Sequence, residues 1–194
     1  MIMQLLEKTI DDWEQRANTV LSHFDYKNAD EIDLYDICWK YGILIKPLDQ
    51  NYYTGSEEFL SIKHLKSYSI PNKKGRSGTI YIVPDLDPIE KRMLLAEEFC
   101  HIYSHFSSQI FTDEIVLNKL ENQARRMSAY LLMPHKFLKE IYAAAVNEPI
   151  LISDIADYFL VSEEFAHYRL ELIYQHKVDG FLQIRERLWS LEMY

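Results

Sequence analysis

The chain has 194 residues, enough for one domain or a core with a small appendage, and its 48% hydrophobic and 26% charged residues are ordinary for a globular protein. Its formal net charge of -9 disfavours broad electrostatic binding to nucleic acid or to membranes, because both need a basic surface. The sequence carries no signal-peptide or membrane-spanning pattern, and Cys38 and Cys100 lie in apolar contexts typical of reduced thiols. We therefore expect a cytoplasmic protein.

The first part of the chain predicts two helices and three strands. Apolar residues at helical spacing indicate a helix from about Met3 to Phe24 and a second helix capped by Asp30 and closed by Gly42. Three apolar runs predict short strands: ILIKPL, HLKSYSI and TIYIVP. The turn PNKKGRSG joins the last two. Together they predict a small antiparallel sheet.

A long helix follows the third predicted strand. Asp87 as N-cap, Pro88 at the first helical position and Glu90 three residues after the cap indicate its start, and its pattern runs to Phe106. The helix is apolar on nearly every side, so we expect it to be largely buried in the centre of the fold.

This buried helix carries titratable side chains in its middle. An isolated buried carboxylate is costly unless a cation or a donor meets it. Because Glu97 and His101 are one turn apart, their side chains share a face at a spacing that suits two ligands of one metal ion. The pattern E-E-x-x-H parallels the zinc-peptidase motif H-E-x-x-H. It predicts Glu97 and His101 as metal ligands and Glu98 as the general base.

A zinc hydrolase also needs a third protein ligand. Glu121, in the next predicted helix NKLENQARRMSAYLLM, is the best-placed carboxylate, whereas His105 lies too far along the axis from Glu97 and is expected to be a neighbour of the site. Spacing alone leaves a second interpretation equally open, in which a buried salt-bridge network holds the carboxylates and His101 is a core histidine. Three arginines could supply that network: Arg92, Arg125 and Arg126.

The last part of the chain is predicted to be helical. Two short helices after Pro149, with possible caps at Ser153 and Ser162, have helix-turn-helix proportions. Acidic residues stand where a major-groove reader would carry basic or amide side chains, with only Arg169 in favour, so we interpret this unit as a packing or protein-contact element.

The predicted fold class is therefore α+β, with a small antiparallel sheet packed on a central metal-site helix. N-terminal helices precede the sheet, and a helix-turn-helix-like segment ends the chain. We predict two parts, a metallopeptidase-like core over residues 1–145 and a C-terminal helical subdomain over residues 146–194.

Two motifs and their order carry a resemblance to a known family. The segment IYIVPDLDPIEKRMLLAEEFCHIYSH is similar to a strand followed by R-x-x-L-A-H-E-L-G-H, and ENQARRMSAYLLMP to E-x-x-A-N-x-F-A-x-x-L-L-M-P. YGILIKPL before them and ISDIADYFLVSEEFAHYRL after them also fit. Across most of residues 30–172 the chain thus resembles the ImmA/IrrE family of metallo-endopeptidases.

The resemblance implies metal binding by His101 and Glu121 and a general-base role for Glu98, with Glu97 at the position of the family's first histidine. It implies a zinc-dependent endopeptidase that inactivates a helix-turn-helix repressor of a prophage or mobile element. The substrate chain would lie along the edge of the strand at residues 79–83. The alternative is a non-catalytic member that binds a repressor or another partner without hydrolysis.

The carboxylate at position 97 has a physical consequence for the metal. Compared with two histidines and one carboxylate, the set Glu97, His101 and Glu121 removes the net positive charge of a zinc site, so bound water becomes less acidic. Oxygen-rich ligation also moves the preference toward harder ions such as Mn²⁺. Slower catalysis, a different metal and an empty site all stay open.

Overall fold

The computed structural model describes residues 11–48, 65–73, 75–104 and 114–173, except for the side chains of 114–116. The helices are α1 (Asp12–Leu21), a 3-10 segment (Ala29–Glu31), α2 (Leu34–Lys40), α3 (Pro88–Ser104), α4 (Glu114–Leu132), α5 (His135–Ala144), α6 (Ile152–Phe159) and α7 (163–173). The strands are β1 (Ile43–Pro47), β2 (Ser67–Pro71) and β3 (Gly78–Ile82). The predicted α+β class is confirmed.

The three strands form a mixed sheet with the order β1-β3-β2. As predicted, β2 and β3 run antiparallel, with Ile70 opposite Thr79. The expectation of a wholly antiparallel sheet is wrong, because β1 runs parallel to β3, with Ile43 opposite Gly78. Parallel neighbours need a long crossover connection, and the chain between β1 and β3, which includes β2, supplies it.

Helix α3 lies at the centre of the fold. It packs against β2 and β3 on one side and against α4 on another, and α4 in turn packs against α1. Its burial is as predicted. The buried apolar side chains of α3 are Leu95, Ala96, Phe99, Cys100, Ile102 and Tyr103. The buried polar side chains in the middle of this helix therefore lie next to the sheet or α4.

The ends of the helices follow local rules, with two corrections. Asp87 caps α3 as predicted, since its Oδ1 accepts hydrogen bonds from the N–H groups of Ile89 and Glu90 at 2.9 and 3.1 Å. The cap of α2 is Asp33 rather than Asp30, which belongs to the 3-10 segment. Asp33 directly precedes the first helical residue, so its carboxylate reaches the free N–H groups.

The turn between α6 and α7 forms as expected around Leu160, which has a positive φ of 53°. Ser162 caps α7 by accepting a hydrogen bond from the N–H of Phe165 at 3.2 Å. Ser153 does not cap α6, because the helix begins after Leu151, whose N–H donates to Asp154 at 3.0 Å. The helix-turn-helix likeness and the domain division at residue 145 stay predictions.

Arg169 anchors α7 in the core. It is 1% exposed, its Nε donates to the carbonyl oxygen of Met133 at 3.0 Å, and its guanidinium lies 4.6 Å from the ring centre of Tyr130. A carboxylate of α1, Glu14, lies 3.8 Å from its Nη2. The basic residue that would have favoured DNA contact is therefore part of the packing between α1, α4 and α7.

Among the described helices, none combines the length and the apolar character that crossing a membrane would require.

Gly78, at the start of β3, has no room for a side chain. A Cβ there would collide with the carbonyl oxygen of Ile70 and lie 3.0 Å from Cα of Pro71, both backbone atoms of the paired strand β2. We expect Gly78→Ala to lower the free energy of unfolding by about 3 kcal/mol, because the sheet must shift to admit the methyl group. Chemical denaturation measures the loss.

A second glycine provides the control. Gly75 has a φ of +83°, but a methyl group at this position would meet no atom within 4 Å, so Gly75→Ala should cost only about 1 kcal/mol of backbone strain. If Gly78→Ala were no more destabilising than Gly75→Ala, the close approach of β2 and β3 at this point would be wrong.

Candidate metal centre

The predicted site residues line one cleft between α3, α4 and the start of β2. The cleft has a volume of about 290 Å³. Its walls are Leu65, Lys66, Ser67, Tyr68, Leu94, Glu97, Glu98, His101 and Glu121. The structure thus brings together all four side chains that the sequence predicts for the metal and its base, although Glu121 comes from a different helix.

His101 and Glu121 are in direct contact across the interface of α3 and α4. His101 is 4% exposed, and its Nε2 lies 3.2 Å from Oε2 of Glu121. The contact is a hydrogen bond when Nε2 carries the proton. Two ligands of a tetrahedral zinc ion, each about 2.1 Å from the metal, are about 3.4 Å apart. The pair therefore has the spacing of two ligands of one ion.

Glu98 is buried beside this pair, with its two oxygens in different surroundings. It is 8% exposed, and Oε1 accepts a hydrogen bond from the hydroxyl of Ser67 at 2.8 Å. Oε2 is buried without a hydrogen bond from the described residues. Burial raises the pKa of this carboxyl group, and the His101 charge and the hydroxyls of Ser69 and Ser67 only partly lower it. A raised pKa suits a group that takes up a proton near neutral pH.

Glu97 is half-buried in the same cleft. Burial raises its pKa, as do the negative charges of Glu121 and Glu98, whereas His101 lowers it. Three carboxylates therefore repel one another in a partly desolvated cleft. A divalent cation would relieve this repulsion, and carboxylate and imidazole donors are ligands that zinc and manganese accept. The chemistry of the donor set thus fits a metal ion.

The alternative salt-bridge network does not form among the described residues. Nη1 of Arg92 donates to the carbonyl oxygen of Ile32 at 2.6 Å, and Nε of Arg126 lies 2.6 Å from Oδ2 of Asp11. Arg125 stacks on the ring of Tyr168 at 4.8 Å, and its charge also lowers the pKa of Glu97. Among the described residues, none of the three arginines therefore forms an ion pair with Glu97 or Glu98.

In the part of the chain that the structure describes, a complete ligand set is nevertheless not assembled. Within residues 11–48, 65–73, 75–104 and 114–173, no three His, Cys, Asp or Glu side chains converge closely enough to hold an ion. His101 and Glu121 have ligand spacing, and a third donor would have to approach them. His105 lies outside the described residues, so its role as a neighbour of the site stays a prediction. Cys100 is fully buried and its pKa is raised by burial, as expected of a core residue.

Two serines of β2, Ser67 and Ser69, belong to the site although the sequence pattern did not single them out. They lie two positions apart on the strand, so both side chains are on the face toward α3, and both are buried. The available signal was the run SYSI, in which hydroxyls occupy the inward positions of a strand whose outward residues are apolar or aromatic. Because buried polar groups are usually hydrogen-bonded, two buried hydroxyls that face a buried carboxylate are expected to serve as its hydrogen-bond donors.

One known protein family matches the region of the chain that forms the cleft. The sequence model of the family described as Peptidase_M78, the IrrE N-terminal-like domain, matches residues 40–171, more than half of the chain. That range contains the sheet, α3, α4 and the four side chains of the predicted metal and base. No curated protein and no solved structure gives a significant match to the chain.

Proposed function

The chain belongs to the Peptidase_M78 family of IrrE N-terminal-like domains, and on that premise we propose that it is a metal-dependent endopeptidase. The observation that carries the proposal is the 3.2 Å contact between His101 and Glu121, with Glu98 in the same cleft. The proposed substrate is a helix-turn-helix repressor of a prophage or mobile element, and this class rests on the family resemblance alone.

We assign the metal to His101, Glu121 and Glu97. A bound zinc or manganese ion would polarise the carbonyl group of the scissile peptide and make a water molecule easier to deprotonate. Glu97 contributes a negatively charged carboxylate in place of a neutral imidazole, so the net charge of the metal site is less positive. Such an oxygen ligand favours manganese, the harder of the two ions. His101 and Glu121 are held by the packing of α3 against α4, which fixes two donors before the third approaches.

Glu98 moves the proton in the proposed reaction. Its carboxylate accepts a proton from a water molecule, whose oxygen then forms a bond to the carbonyl carbon of the substrate. As the carbon–nitrogen bond breaks, Glu98 gives the same proton to the leaving amine. The carboxylate is thereby regenerated, and the net reaction adds one water across the peptide bond. The raised pKa of Glu98 makes its carboxylate a stronger base toward the water than an exposed glutamate would be.

The predicted substrate edge needs a correction. Residues 79–83 cannot offer an edge, because β3 is the central strand and is paired on both sides. In the sheet that the described residues form, β2 is an edge strand, and Ser67 and Tyr68 at its start line the cleft. We propose that an extended substrate adds to β2 by backbone hydrogen bonds, which would lead its peptide bonds past Glu98.

Incubation with a repressor separates the two candidate functions. The purified protein, supplied with Zn²⁺ or Mn²⁺, should convert a helix-turn-helix repressor from the same cell into discrete fragments detectable by intact-mass spectrometry. A chelator should stop the cleavage. The non-catalytic alternative, which the lack of a complete three-donor set in the described residues favours, predicts that the repressor binds but stays intact under both conditions.

A further inference from the structure

We propose that Ser67 is a positioning residue whose hydroxyl fixes the plane of the Glu98 carboxylate in the cleft. The inference rests on the proposed role of Glu98 as general base. In this role a residue of β2 holds the side chain of the general base, which is itself carried by α3.

The first argument is the need for such a hold. The terminal torsion of a glutamate joins an sp³ to an sp² carbon and has a broad, nearly two-fold profile. Without a partner, the plane of the Glu98 carboxylate would therefore turn easily. Ser67 donates to Oε1 at 2.8 Å, and both residues are buried, so the bond forms where water does not compete. Hydrogen bonds to a charged acceptor are among the stronger ones.

The second argument is that Ser67 is not the only hydroxyl that β2 presents to this carboxylate. Ser67 donates to Oε1, and the hydroxyl of Ser69 also interacts with Glu98. Both serines are buried and occupy alternate positions of β2, so they face the same side of the strand. The carboxylate is thus held from β2 rather than from its own helix.

The third argument is that Ser67 is itself held by the sheet. It pairs with Ile82 of β3, and the neighbouring Tyr68 stacks on Tyr81 of β3 at 4.9 Å between ring centres. Because β2 is also the strand to which we assign the substrate, one element places both the base and the chain to be cut.

The test compares Ser67→Ala with Ser67→Thr, which keeps the hydroxyl. Hydrolysis of fluorescein-labelled casein is measured with the full-length protein and one added equivalent of Zn²⁺. For Ser67→Ala we expect kcat to fall about tenfold with KM within a factor of about two, since the base is misdirected but binding is not. Ser67→Thr should restore kcat. Ser128→Ala removes another buried serine hydroxyl, one that bonds the carbonyl oxygen of Arg125, and should behave like the wild type.

Crystal structures of the wild type and of Ser67→Ala supply a readout besides activity. The plane of the Glu98 carboxylate should be fixed by the hydroxyl in the wild type and should be turned in Ser67→Ala. An unchanged orientation would overturn the proposal whether or not casein is cut. So would equal losses of kcat in both Ser67 variants together with a lower Tm, which would mark a merely structural serine. A turned carboxylate in a protein that cleaves nothing would support the positioning role and count against the peptidase function.

Discussion

Replacing Glu98 by glutamine is expected to abolish hydrolysis of the repressor while the fold is kept. An amide cannot accept the proton of the attacking water, so the rate should fall by about a thousandfold. Glutamine has nearly the same shape, and its carbonyl oxygen can still accept the hydrogen bond from Ser67. Since burial raises the pKa of Glu98, its charged form is disfavoured in the folded state, and a neutral amide should leave the free energy of unfolding unchanged or slightly higher.

The matched control is Glu164→Gln. This change removes the same charge from an exposed residue of α7 that does not line the cleft. Initial rates of repressor cleavage and thermal denaturation should be measured for both variants. Turnover by Glu98→Gln within a few-fold of the wild type would show that another group, or no group of this protein, moves the proton.

Removing the imidazole of His101 is expected to weaken zinc binding by at least about 100-fold. Mutating a residue that hydrogen-bonds to a metal ligand lowers the metal affinity by up to about 100-fold, so removing a ligand itself should lower it at least as much. The structure gives the reason, because Nε2 of His101 and Oε2 of Glu121 are already 3.2 Å apart. Isothermal titration with Zn²⁺ measures the affinity of His101→Ala.

Two further variants make that result interpretable. His167 is exposed on α7 and pairs with Glu171, so His167→Ala removes an imidazole without touching the cleft and should bind zinc like the wild type. His101→Gln fills more of the buried space than alanine and guards against simple unfolding. Equal zinc affinity in His101→Gln and the wild type would contradict the assignment of His101 as a ligand.

The central helix shows what local sequence can predict. The start of α3 follows from Asp87, Pro88 and Glu90, because capping and helix entry depend on residues within one turn. Its burial follows from apolar residues on nearly every side. The shared face of Glu97 and His101 follows from helix geometry. Each of these features is decided within a few residues of the chain, so no tertiary contact was needed to predict it.

The sheet shows what local sequence cannot predict. The three strands are evident from their apolar runs, but the parallel pairing of β1 with β3 depends on a crossover that no strand encodes alone. As a result the predicted substrate edge fell on the central strand. The contact between Ser67 and Glu98, 31 positions apart, could not be predicted for the same reason. The wrong N-cap of α2 is a smaller error, because Asp30 and Asp33 both lie close to the start of this helix and have the same capping side chain.

The site itself lies between these cases. The ligand pattern on α3 is local, but the role of Glu121 depends on which face of α4 meets α3. The structure brings Glu121 to His101 because the two helices pack closely along their lengths. The position of Glu97 relative to that pair depends on a side-chain orientation that neither helix spacing nor packing fixes.

The metal content of the wild-type protein tests the central claim most directly. Protein purified without chelator, exposed to Zn²⁺ and Mn²⁺ and then dialysed, should carry about one equivalent of one of these ions by elemental analysis, as expected for a single three-ligand site. His101→Ala treated in the same way should carry almost none. A wild-type protein that retains no metal, or the same metal content in both proteins, would contradict the account of the cleft as a metal centre.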